Sequence, residues 1–262
     1  MRVPRGSPSE VNLVSYASRR SEGSNVALVE ARNMWVKLSG TPIIKGASLR
    51  IERCELVALV GRNGAGKTTL LNALSGLRAM SEGSVSIRGV DVSSQGPEDR
   101  RNYGLVHVPE GHRVFPSLTV RENLIVGGWG RSSVTIDDVI DRLPALGDIL
   151  GASAGTLASS DRQLCCLGRA LMADPCVLLL DEIFVGLSPL AADELLGQFP
   201  DLVSGGVSML LVDQNIGRSM AIADRTVVID AGRIVADGTT GELLAKGLVP
   251  TGPPLSGSPS AR

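Results

Sequence analysis

The chain has only 2 histidines and 4 cysteines in 262 residues, and neither set has the spacing of a metal centre. Cys54, Cys165, Cys166 and Cys176 lack the paired spacing of zinc ligands, and two of them lie inside apolar runs. They read as reduced core residues. His107 and His112 are too few for a histidine-based site, and each is expected to be neutral and structural. Net charge is scarce too. With 26 basic and 27 acidic residues the formal charge is −1, so there is no general attraction to nucleic acid or to an anionic membrane. No apolar run reaches the roughly 18 residues of a membrane span. Arg2 and Arg5 are not followed by the apolar stretch of an export signal, and the chain is expected in the cytoplasm.

Hydrophobic residues make up 43% and charged residues 20%, enough for one large α/β domain or two modest ones. Residues 1–25 are rich in Ser, Arg, Gly and Pro without periodicity and read as a disordered extension. Residues 249–262, with Pro250, Pro253, Pro254 and Pro259, read as a disordered tail. The span 26–248 is the folded domain. Strands are expected at 27–30, 47–51, 56–60, 85–87, 177–180, 207–212 and 226–229, with an extended segment at 103–109. Helical spacing marks 120–126, 137–150, 163–173, 189–198 and 216–223, although Pro144 interrupts the second of these. The alternation in the second half predicts a parallel sheet with crossover helices.

The chain is organised around residues 55–74. The short apolar run 56–60 reads as a strand buried on both faces, and it ends at Gly61. The spacing Gly61-x-x-x-x-Gly66-Lys67-Thr68 follows. Gly61, Gly64 and Gly66 permit the tight turns that aim backbone amides at phosphate oxygens, and the helix opening at Lys67 adds its positive end. Lys67 is placed to reach the β- and γ-phosphates and Thr68 to offer its hydroxyl to Mg²⁺. Leu70, Leu71 and Leu74 are spaced to pack the helix on the sheet. Far along the chain, residues 176–182 form an apolar strand ending in Asp181 and Glu182. A strand adjacent to the phosphate loop would bring Asp181 to the metal, with Glu182 beside it to orient or deprotonate water.

These motifs, taken with Pro109-Glu110-Gly111, the run Phe115-Pro-Ser-Leu-Thr-Val120, Gly168-Arg-Ala-Leu, Gly186-Leu-Ser-Pro189 and Gln214-Asn215, make residues 27–247 resemble the ATP-binding subunit of an ABC transporter. Most members have Gln where Glu110 stands. Glu110 and the Gln214-Asn215 pair are similar to the subgroup serving branched-chain amino acid importers, in which the switch His is Gln. The resemblance implies a P-loop NTPase (RecA-like) α/β core with an antiparallel β-subdomain and a helical subdomain at about 78–170. It implies ATP and Mg²⁺ as cofactors. Gly61, Arg62, Asn63, Gly64, Ala65, Gly66, Lys67, Thr68 and Thr69 would bind nucleotide, together with Glu110 and Asp181. Thr68 and Asp181 would hold the metal, Glu182 would be the base, and Gln214 would touch the γ-phosphate.

The implied partners are membrane permease subunits, a second ATP-binding subunit packed head to tail, and indirectly a solute-binding protein; no nucleic acid is implied. The subunit would lie peripherally on the inner face of the cell membrane. Three stretches depart from the family pattern. The signature segment reads Leu157-Ala158-Ser159-Ser160-Asp161, which loses a Ser and both glycines. Ile183, Phe184 and Val185 replace the usual Pro-Ser/Thr-x after Glu182. Leu38 occupies the place of the adenine-stacking aromatic, with Trp35 three residues earlier. Two readings follow: an ATP-hydrolysing importer subunit paired with a paralogue, or a regulatory subunit that binds nucleotide and hydrolyses it poorly. A soluble relative working on ribosomes or DNA would usually carry two such cores or a coiled-coil insertion.

Overall fold

The computed structural model describes residues 27–111, 113–129 and 133–249. His112, the expected N-terminal extension up to residue 26 and the tail from residue 250 lie outside the described residues. The elements in chain order are β1 (Val29–Leu38), β2 (Thr41–Ile51), β3 (Leu56–Val60), α1 (Lys67–Leu74), β4 (Glu82–Ile87), β5 (Val90–Asp91), α2 (Pro97–Asn102) and β6 (Leu105–Val108). They continue with α3 (Val120–Gly128), α4 (Ile136–Arg142), α5 (Ser159–Leu171), β7 (Val177–Asp181), α6 (Pro189–Leu196), α7 (Phe199–Ser204) and β8 (Ser208–Val212). The described chain closes with α8 (Ile216–Ile222), β9 (Arg225–Asp230), β10 (Arg233–Gly238) and α9 (Thr240–Ala245).

Two sheets carry the fold. One is antiparallel, in the order β2-β1-β4-β5. The other runs β10-β9-β3-β8-β7-β6, parallel except for β10 at its edge. β3, β7 and β8 are buried along their whole length, as strands covered on both faces must be. One core cluster joins α1 and the inner face of the antiparallel sheet to one side of the parallel sheet. Another joins α3, α5, α6 and α7 to the opposite side.

β8 lies between the phosphate-loop strand β3 and β7. The structure corrects three expectations. The span 78–170 is not all helical: β4 and β5 belong to the antiparallel sheet and β6 to the parallel one, so the helical part begins after β6. The expected helix 137–150 is two pieces, since Leu143 leaves helical geometry ahead of Pro144 and a 3₁₀ segment (Pro144–Ile149) follows. Val249, at the start of the expected tail, is buried in a small cluster with Val60, Met220 and Leu243.

Arg100 of α2 fixes the rear of the phosphate-loop helix. It is 2% exposed, and its Nη1 donates to the carbonyls of Ala73 (2.6 Å) and Leu74 (2.8 Å) at the end of α1. Its Nε and Nη2 donate to Gln95 and Ser93 carbonyls. The guanidinium thus adds charged donors to carbonyls at the helix end, where its charge suits the negative end of the helix dipole.

Candidate functional site

The phosphate loop joins β3 to α1 at the carboxyl end of the parallel strands, where open α/β sheets bind ligands. Gly66 caps α1 at φ 109, a conformation that disfavours any side chain. Gly61 is needed for another reason: a Cβ there would lie 2.3 Å from the Ile229 carbonyl oxygen, so the loop can lie against β9 only with glycine. Lys67 is buried, and its Nζ donates to the carbonyls of Gly61 (2.9 Å) and Arg62 (3.2 Å), which holds the ammonium inside the loop. Arg62, Asn63, Gly64 and Thr68 are exposed, Thr69 is half-buried, and Ala65 is buried. Leu70, Leu71 and Leu74 are buried as their spacing predicts.

Asp181 reaches this loop from β7. Its Oδ1 accepts from Thr68 Oγ1 at 3.3 Å, across the intervening β8. Burial pushes its pKa up to about 6; the Thr68 hydrogen bond opposes this, the carboxylates of Glu182 and Glu110 add to it, and Lys67 opposes it. Glu182 stands at φ 48, with its N–H donated to the Val212 carbonyl at 2.9 Å. Gln214, just past the end of β8, donates from Nε2 to Glu182 Oε2 at 2.6 Å. Glu110 is exposed past the end of β6 and electrostatically close to Asp181. The hydroxyl and carboxylate oxygens of Thr68 and Asp181 are hard ligands of the kind Mg²⁺ takes.

The departures from the family pattern also have places in the structure. Ala158 is the N-cap of α5 and makes no side-chain cap bond; Ser159, Ser160 and Asp161 form the first turn, with Ser159 exposed and the other two half-buried. Leu38 and Trp35 are both half-buried on β1. Trp35 donates from Nε1 to Asn33 Oδ1 (3.2 Å), and the Arg233 guanidinium lies 5.9 Å from its ring centre. Phe184 is buried against Phe199.

A cleft of about 250 Å³ opens beside Glu110, between β6, α3 and α5, and was not legible in the sequence. Arg101, Arg113 and Arg169 line it, along with His107 and Cys166, and no carboxylate does. Burial, then the nearby Arg113, lowers the His107 pKa to about 4, so the ring is neutral as expected; neither ring nitrogen has a partner. Phe115, Ile125 and Trp129 are exposed around it, Trp129 to 78%. All four cysteines are free, and all but Cys54 are buried. Among the described residues, no helix is long and apolar enough to cross a membrane.

A glycine-rich loop at the end of a buried strand, with Asp181 and Glu182 brought beside it from another strand end, defines a P-loop nucleotide-hydrolysing core. The ABC transporter family profile matches residues 44–185. The chain belongs to that family and is an ABC transporter ATPase subunit. It is 37% identical over 201 residues to the high-affinity branched-chain amino acid transport ATP-binding protein BraG of Pseudomonas aeruginosa, covering 75% of this chain and 86% of the relative. It is 35% identical to the probable branched-chain amino acid transport ATP-binding protein LivF of Archaeoglobus fulgidus, covering 74% and 84%. The lipopolysaccharide export ATP-binding protein LptB of Haemophilus influenzae is 29% identical, covering 84% and 93%. A nucleotide-free ATP-binding cassette from an ABC transporter has the same fold, with a TM-score of 0.77 at 23% identity over 85% of this chain and 95% of that one.

Proposed function

We propose that this subunit binds and hydrolyses ATP to power an importer for branched-chain amino acids or a similar small solute. In this reading it lies on the inner face of the membrane, held there by permease subunits, and pairs head to tail with a second ATPase subunit. The observation that carries the catalytic part is the meeting of Thr68, Asp181, Glu182 and Gln214 at the ends of β3, β7 and β8. The substrate class is supported by the greater identity to BraG and LivF than to LptB. Loop amides and Lys67 hold the β- and γ-phosphates. Thr68 and Asp181 would hold Mg²⁺, which when bound supplies positive charge to the phosphate oxygens. Water attacks the γ-phosphorus as its proton passes to Glu182 and the bond to ADP breaks. Gln214 donates to the Glu182 carboxylate, which it holds in place, and would touch the γ-phosphate. Glu110, between this centre and the arginine-lined cleft, responds to the metal and to the permease, which seats its cytoplasmic segment on the exposed Phe115, Ile125 and Trp129.

Phosphate release and thermal unfolding with ATP test this. Lys67→Ala is expected to lose the ATP-induced stabilisation, while Glu182→Gln keeps it and loses turnover. Native turnover in Glu182→Gln would remove the proposed base. One observation favours the regulatory alternative: the first turn of α5 carries Ala158, Ser159, Ser160 and Asp161 in place of the family's signature residues. Steady-state hydrolysis with the partner subunits present separates the two readings.

A further inference from the structure

Arg218 lies on α8, one turn past Gln214, and its side chain is only 17% exposed. Its guanidinium stands where three separate segments meet. Nε lies 3.2 Å from Asp193 Oδ1 on α6, Nη1 lies 3.9 Å from Asp213 Oδ2 at the end of β8, and the carbon between its nitrogens is 5.7 Å from the centre of the Phe184 ring. Phe184 in turn stacks tilted on Phe199 of α7, with ring centres 5.8 Å apart. Asp213 is 4% exposed, and its Oδ2 makes no hydrogen bond, so among the described residues Arg218 is the cation that faces this buried oxygen.

Two of the three segments adjoin a group assigned to hydrolysis, and the third, α6, follows directly on the turn that carries Phe184. Asp213 immediately precedes Gln214, and Phe184 is two residues past Glu182. Within the turn 182–188, the Glu182 N–H donates to the Val212 carbonyl, the Val185 N–H to the Glu182 carbonyl and the Leu187 N–H to the Phe184 carbonyl, and Ser188 caps α6. Asn215 caps α8 by accepting the Arg218 N–H at 3.1 Å, so the arginine is tied to the Gln214 loop by its backbone as well. An aromatic at position 184 gives the planar guanidinium a face to stack on, which a short polar side chain would not.

We propose that Arg218 is a positioning residue for hydrolysis: by clamping Phe184, Asp193 and Asp213 it keeps Glu182 and Gln214 in mutual register. This rests on Glu182 being the base. The clamp's contacts are with Phe184, Asp193 and Asp213 and not with Lys67 or the phosphate loop, so it governs turnover and leaves nucleotide affinity alone. Because the clamp uses stacking as well as charge, lysine replaces it only in part.

The test uses the assembly recovered through a tag on this chain, with Glu182→Gln as the blank for hydrolysis. Arg218→Ala is expected to lower kcat by about tenfold to a hundredfold with KM for ATP unchanged, the size of effect a small misplacement of a catalytic group has. Arg218→Lys recovers part of that loss, and Asp193→Asn loses less than Arg218→Ala. In parallel, amide exchange at Val185 and Leu187 in the full chain rises in Arg218→Ala while ATP binding is retained. A native kcat in Arg218→Ala overturns the proposal. So does unchanged exchange at both amides, and that result stands whether or not the chain hydrolyses ATP, which separates failure of the clamp from failure of the assigned base.

Discussion

The carboxyl of Asp181 is pushed toward the neutral form by its burial, whereas the metal-holding role proposed for it requires the ionised form. Its folded pKa, about 6, lies above the ordinary 3.8, so its contribution to the stability of the metal-free protein is fully present below about 4 and is lost as pH rises through 6. Metal binding has the opposite sign, because the ligand is the carboxylate. The extra thermal stabilisation that Mg²⁺ adds to ATP is therefore expected to be full at pH 8 and to decline as pH falls through about 6. Asp181→Asn should abolish that extra term at every pH and raise the melting temperature of the metal-free chain at pH 8. A Mg²⁺ increment that is flat between pH 8 and 5 in the native chain would remove Asp181 from the metal site. At this scale the sequence was most legible where the chemistry is local. Gly61 to Thr68 form one contiguous motif, and Asp181-Glu182 end one strand. Arg218 was invisible, because Phe184, Asp193 and Asp213 come to it from three turns of chain that only the fold brings together.

Helix α5 begins at Ser159, four residues before the point where Leu164, Leu167 and Leu171 would place it. Its first turn is polar and buries little, so periodicity does not reach it. That turn is the segment a head-to-tail partner would receive over its own nucleotide. Asp161 adds a carboxylate to it, and Ser159 and Ser160 add side chains where the family has bare backbone. Two copies of this chain would impair both sites, whereas a paralogue with an intact signature leaves Lys67, Asp181 and Glu182 with one good site. The Glu182→Gln chain with ATP is accordingly expected to stay monomeric in size-exclusion chromatography with light scattering. Adding Ala158→Ser, Ser159→Gly and Ser160→Gly should create an ATP-dependent dimer. If the unaltered segment already supports a stable homodimer, the hydroxyls of Ser159 and Ser160 replace the lost contacts and the paralogue is not required.

Across the whole molecule, the parallel sheet was legible because its strands are short apolar runs that need no partner information. The elements missed were those whose residues give no such run. α2 reads Pro-Glu-Asp-Arg-Arg-Asn and buries only Arg100, and β10 alternates half-buried and exposed positions at a sheet edge. The arginine-lined cleft was missed because β6, α3 and α5 contribute one residue here and another there. Its guanidiniums meet no carboxylate on the cleft wall, and Arg169 is already oriented by the Arg113 carbonyl and the Phe115 ring. Arg113→Glu combined with Arg169→Glu should reduce recovery of the permease with this chain while ATP-induced stabilisation is unchanged. Permease recovery equal to native would place the contact elsewhere.

The arginine behind α1 gives this arrangement a mechanical character. A guanidinium keeps its proton at any pH the protein meets, so its grip on the Ala73 and Leu74 carbonyls does not loosen with acidity. The helix whose front end takes the phosphates is thus anchored at its back end to α2 and the Ser93 turn that follows the antiparallel sheet. Any recoil of α1 along its axis must either break those bonds or drag that sheet margin with it, which makes the phosphate loop one end of a push rod.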